Sequence, residues 1–161
     1  MRVDFGADIE VVATERWLDE LRAGRAFGYG TRLAAGGAGI NSHLQLFNPA
    51  ASGATILLRT IIAGTTIAGD IHIRAHNTAL TTLESAGVNL LAGGAAGQGQ
   101  VRSQNAATLG SLLMRIPQPA SETVRMLDEW IVELGPGEGV LVTPNGANLE
   151  VFANYLWVEL I

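Results

Sequence analysis

The chain has 161 residues, of which 48% are hydrophobic and only 16% charged, with ten basic and 15 acidic side chains and a net charge of −5. Every basic residue is arginine and cysteine is absent, which excludes disulfides, thiolate metal ligands, a cysteine nucleophile, a P-loop lysine, Schiff-base chemistry and a Ser-Lys dyad together. An acidic balance without a basic cluster argues against binding nucleic acid by phosphate neutralisation, and no apolar run reaches the length of a membrane span or a signal segment. The expectation is a soluble protein made without an export signal. A free monomer usually carries about 25% charged residues, so the shortfall argues that part of the exterior is covered by something other than water. A small domain with Gly- and Ala-rich neutral loops from a GC-rich genome has the same composition.

In chain order, residues 1–42 come first and differ in texture. Ten of the 25 charged residues fall within the first 25 positions. A helix is predicted over 14–23: Thr14 caps it, Glu15 suits its first turn, Trp17, Leu18 and Leu21 share a face, and Gly24 ends it. So short a helix is not stable alone in water and must dock on something. Arg22 and Arg25 close this segment with two guanidinium groups suited to planar interface contacts. The stretch from Phe27-Gly28-Tyr29-Gly30 to Gly36 and Gly39 reads as a flexible connector, which makes 1–42 an N-terminal arm and 43–161 the folded domain. The alternative is an ordinary N-terminal helix packed on its own domain.

From His43 onward the pattern is of short strands separated by turns: 44–47, 55–63, 70–76, 80–84, 111–116, 123–134, 140–142 and 148–160. Asn145-Gly146 is a hairpin signal and pairs 140–142 with the last strand. Residues 85–110, rich in Gly, Ala, Gln and Asn, are too small and polar for a core. They predict a long surface excursion with at most a short strand near 100–102. This spacing predicts an all-β fold, a jelly-roll or immunoglobulin-like antiparallel sandwich. Three strands carry apolar residues on both faces. In the last, Leu149, Val151, Ala153, Tyr155 and Trp157 alternate with Phe152, Leu156, Val158 and Leu160; 124–134 and 55–63 do the same. One face suits a sandwich core, and the other wants a second cover, either the chain's own arm or another subunit.

Catalytic residue types cluster only at Asp70-Ile71-His72-Ile73-Arg74-Ala75-His76. Asp70, His72, Arg74 and His76 share one strand face, and the two histidines stand ~13 Å apart, too far to ligate one zinc. The bland reading is a solvated or interface-facing polar side; a pH-sensitive contact needs symmetry-related copies to bring the histidines together. Neither Gly28-Tyr29-Gly30 nor Gly97-Gln98-Gly99 opens a helix, so neither is a dinucleotide fingerprint. Glu133, Glu138, Glu150 and Glu159 read as solvated strand carboxylates rather than a glycosidase pair. Trp130, Phe152, Tyr155 and Trp157 read as core or interface before sugar platform. No catalytic residue, metal ligand or cofactor is expected. The expected interface is Trp17, Leu18, Leu21, Arg22, Arg25, His72, Arg74, His76, Phe152, Leu156 and Val158.

Two segments carry a resemblance. One runs from Leu44 through the Asn48-Pro49 turn and Ser52-Gly53 to Leu58; the other runs from Gly137 through Pro144-Asn145-Gly146 to Val151. Together they resemble small β-sandwich structural proteins of tailed-bacteriophage virions, of the capsid decoration (cement) type. The resemblance implies a virion protein on the capsid surface, made in the host cytoplasm, that bridges major capsid protein subunits as a dimer or trimer. It brings no catalytic or cofactor residue with it. A tail or fibre receptor-binding module, or a glycan-binding one, is the alternative.

Overall fold

The computed structural model describes residues 16–67, 69–117, 124–127 and 132–161, with the backbone alone for 124–127. Residues 1–15 of the arm, with the predicted helix cap Thr14, and Trp130 lie outside the described residues. Residues 16–22 are helical, and twelve strands follow: β1 (Ala26–Leu33), β2 (Asn41–Phe47), β3 (Thr55–Thr65), β4 (Ile71–Ala75), β5 (Thr82–Ala86), β6 (Val88–Asn89), β7 (Gln100–Ala106), β8 (Ser111–Ile116), β9 (Val124–Leu127), β10 (Val132–Leu134), β11 (Gly139–Pro144) and β12 (Val151–Leu160).

The strands form two antiparallel sheets packed face to face. Sheet A has the order β10-β3-β12-β1-β6, with β9 also paired to β3; sheet B has the order β5-β7-β2-β11-β4-β8. The pairs β1·β12, β2·β11, β3·β10 and β4·β8 are nested, and consecutive strands mostly alternate between sheets. That is a strand ribbon folded over on itself, the jelly-roll member of the expected sandwich classes. The β5–β7 excursion lengthens both sheets at one side, with β7 pairing β2 and β6 pairing β1.

Alternation decides the core. Leu44 and Leu46 of β2, Ile56, Leu58, Ile61 and Ala63 of β3, Ile71 and Ile73 of β4, and Val140 and Val142 of β11 face Val151, Ala153, Tyr155 and Trp157 of β12. Tyr155 Oη donates to the Leu44 carbonyl at 2.9 Å, a bond from one sheet to the other. Phe27 stacks on Trp157 with ring centroids 6.1 Å apart.

Three expectations are corrected. The connector at 27–33 is β1, a strand between β12 and β6, so the sandwich begins by residue 26 rather than 43. Its glycines look like a linker but serve close packing: a Cβ on Gly28 would lie 2.8 Å from Leu156 Cδ2. The excursion at 85–110 is ordered into β6, β7 and the end of β5, and Val101 is fully buried. Smallness is what lets it pack: Gly87, Gly97 and Gly99 press bare backbone against Trp157, Phe27 and Glu159. Of the predicted strand 123–134, the described residues form β9 and β10, both on the same edge of β3. Asn145-Gly146 is not a hairpin, because β11 and β12 lie in different sheets. The Asn145 N–H goes to the Asp70 carbonyl and Asn148 N–H to that of Ile40, so this turn carries the chain across the sandwich.

The segments 44–58 and 137–151 meet. Asn48, fully buried, donates Nδ2 to the carbonyls of Ala54 and Leu134, and its backbone exchanges hydrogen bonds with Gly137 and Glu138. These bonds clamp the two loops together.

Candidate binding surfaces

The outer face of sheet A is the spare apolar face. Register sets Leu57 against Val158, Thr60 against Leu156 and Gly64 against Phe152, all turned away from the core. Leu57, Phe152 and Leu156 are half-buried and Val158 is buried. Leu156 and Leu90 fold over the bare backbone of Gly28. Val88, opposite Gly28, is 54% exposed, and Leu90 and Leu91 remain exposed beside it. The helix at 16–22 covers another part of this face. Arg59, at the bulge of β3, lies 4.5 Å from the centroid of the Trp17 ring, a cation–π contact. Trp17, Glu20 and Leu21 turn inward while Leu18 points out, so Glu20 takes the inward place expected of Leu18. It is kept there by Arg25, whose Nε donates to Glu20 Oε2 at 2.6 Å. Arg22 is exposed and among the described residues reaches Asp19 alone, at 3.8 Å, a contact of little energetic weight. The cover expected of the arm is therefore real over part of the face, and Arg25 is spent inside the chain.

The outer face of sheet B is polar, and its centre is buried. A row crosses it strand by strand: Gln104, His43, Thr143, His72 and Arg115. His43 is fully buried, with Nδ1 2.7 Å from Thr143 Oγ1 and Nε2 3.0 Å from the Ala107 carbonyl. A carbonyl can only accept, so Nε2 carries the proton and Nδ1 accepts from the threonine hydroxyl. Burial lowers its pKa below the usual 6.5, against the opposing pull of the Ala107 carbonyl, so the ring is neutral at pH 7. Gln45, also fully buried, donates Nε2 to the carbonyls of His76 and Thr78 and accepts from Leu80 N–H. Loops 76–80 and 107–110 are thereby tied over the sheet.

On β4, Ile71 and Ile73 face the core and His72 and Arg74 face outward, as alternation requires. His76 lies just beyond the strand, half-buried. Burial first, then Arg115 and Arg74, lower the pKa of His72, with Asp70 opposing; burial lowers that of His76. Among the described residues no group of three His, Asp or Glu could hold a metal ion.

Glu159 departs from the solvated reading. It is buried, and its carboxylate accepts from Trp157 Nε1 and from the backbone N–H groups of Gln98 and Gly99, at 2.8–3.0 Å. The carboxylate thereby pins the glycine-rich excursion to β12. Tyr155 and Trp157 are fully buried, so neither offers a ring to a sugar.

The third surface is β8, the last strand of sheet B among the described residues. Leu112, Leu113 and Met114 are 46%, 55% and 43% exposed. The strand was legible in sequence, but its place at an edge was not, because edge position depends on the order of the whole sheet. No protein-family model, curated protein or solved structure matches the chain.

Proposed function

We propose that this chain works by binding rather than catalysis, as a virion structural protein of the capsid decoration (cement) type. In this reading it assembles as a dimer or trimer that bridges major capsid protein subunits. The observation that carries the proposal is β8, where three consecutive large apolar side chains stand exposed on an edge strand. An apolar edge with unpaired backbone groups is a standing invitation to association, and a free monomer normally blunts it. The exposed patch of Val88, Leu90 and Leu91 at the opposite side of the sandwich supports a bridging role, since two sticky rims can join two neighbours. The virion context comes from the resemblance of residues 44–58 and 137–151, whose contact at Asn48 gives those segments a common structural reason. The test is to mix purified protein with expanded capsids of the virus that encodes it. Saturable binding at a fixed number of copies per capsid, with a raised disruption temperature, is the expected result. Failure to bind any capsid of that virus sinks the proposal.

A further inference from the structure

We infer that the groove on the outer face of sheet B, between the 107–110 and 144–147 loops, is a binding site for a carboxylate. The groove has a volume of about 370 Å³, and its polar lining is Asn41, His72, Arg74, Thr108, Thr143 and Asn145. Among the described residues no aspartate or glutamate lines it, although acids outnumber bases by 15 to ten in the chain.

Arg74 is the anchor. Its Nε donates to the Leu109 carbonyl at 2.7 Å and its Nη2 to the Gly110 carbonyl at 3.0 Å. Two neutral acceptors thus fix the plane of the guanidinium without neutralising it. Asp70, just before β4, is 3.6 Å from Arg115 instead. Arg74 is left charged, oriented and without a carboxylate partner among the described residues. Arginine held in this way is suited to a planar two-oxygen anion.

His72 supplies the second observation. It is only 8% exposed, it lines the same groove, and its Nε2 has no hydrogen-bond partner among the described residues. A buried ring nitrogen left unpaired is costly, and a group arriving from outside can relieve that cost. Asn41 and Asn145 add neutral amides, and Asn41 is held by Thr108 at 2.8 Å. One guanidinium among neutral donors fits a monoanion. A phosphate dianion would need more positive charge than the groove holds. Both a free small carboxylate and an acidic side chain on a neighbouring protein present this chemistry.

The experiment is a titration of the isotope-labelled full chain, following the Arg74 Nε and His72 ring resonances. The additions are acetate, a short peptide amidated at its C-terminus and containing one glutamate, the same amidated peptide with glutamine, and inorganic phosphate. Saturable shifts at both residues with acetate and with the glutamate peptide, and none with the glutamine peptide, are expected. Tighter binding of the peptide than of acetate identifies a side chain as the source; equal affinity identifies a free carboxylate. Asn145→Ala, away from the loop that Arg74 secures, should weaken acetate, and Arg74→Gln should weaken it about tenfold or more. Absence of saturable shifts with either carboxylate, or equal shifts with the glutamine peptide, overturns the inference, as does tighter binding of phosphate.

Discussion

The two sheets share one core and treat their outer faces in opposite ways. Sheet A presents apolar side chains, half-covered by a short helix held through Trp17, Arg59, Glu20 and Arg25. Sheet B buries polar side chains under its own loops, with His43, Gln45 and Thr143 hydrogen-bonded in place. An apolar face can be uncovered at modest cost and covered again by a partner, because its contacts are non-directional. A buried polar face is all or nothing, because each lost partner strands another group. Sheet A is thus the adaptable side and sheet B the rigid one that carries shaped grooves.

The largest expected effect lies in the core that both sheets share. Trp157→Ala should cost about 3–5 kcal/mol, read from urea denaturation, since it empties a cavity against Phe27, Gly87 and Gly99 and removes one donor from Glu159. On sheet B, His43→Ala should cost about 1–3 kcal/mol because the Ala107 carbonyl and the Thr143 hydroxyl lose their partner. On sheet A, Leu156→Ala should cost only about 1 kcal/mol, as befits a half-buried side chain. If Leu156→Ala proves as damaging as His43→Ala, the outer face of sheet A is a second core and the contrast fails.

Acidity sharpens the same contrast. His43, His72 and His76, all on the sheet B side, have pKa values lowered by burial. Below about pH 6.5 the unfolded chain takes up protons that the folded histidines refuse, so their stabilising contribution is complete above that pH and declines beneath it. The melting temperature should therefore fall between pH 7 and pH 5, and His72→Gln should flatten the fall. A profile unchanged by His72→Gln would show that this ring does not titrate with folding. The smallest effect on stability belongs to the β8 edge, where Leu113→Lys should stay within about 0.5 kcal/mol of the parent.

Alternation made much of the sandwich legible. β8 falls on the predicted residues, and the inward sets of β3, β4 and β12 follow from period two. What misled was composition. The glycines of β1 and of the 87–99 stretch look like linker, yet their lack of side chain is what lets backbone lie against Leu156 and Trp157. Asn145-Gly146 has the chemistry of a hairpin turn but joins two sheets, a choice made by the whole topology. Of the expected interface residues, Leu18 and Arg22 are exposed, and Phe152, Leu156, Arg74 and His76 are half-buried. Val158 is buried and Arg25 is engaged with Glu20. His43, Gln45 and Glu159 were hidden because a polar residue at an outward strand position reads as solvated. Only the loops folded over it reveal that it is buried.

The most direct measurement compares the parent chain with Leu113→Lys on expanded capsids, with both proteins matched for melting temperature beforehand. A charge placed on the exposed apolar edge should weaken capsid binding about tenfold or more and leave the fold intact. Equal binding by the two proteins would contradict the account, because the edge that sets β8 apart would then play no part in assembly.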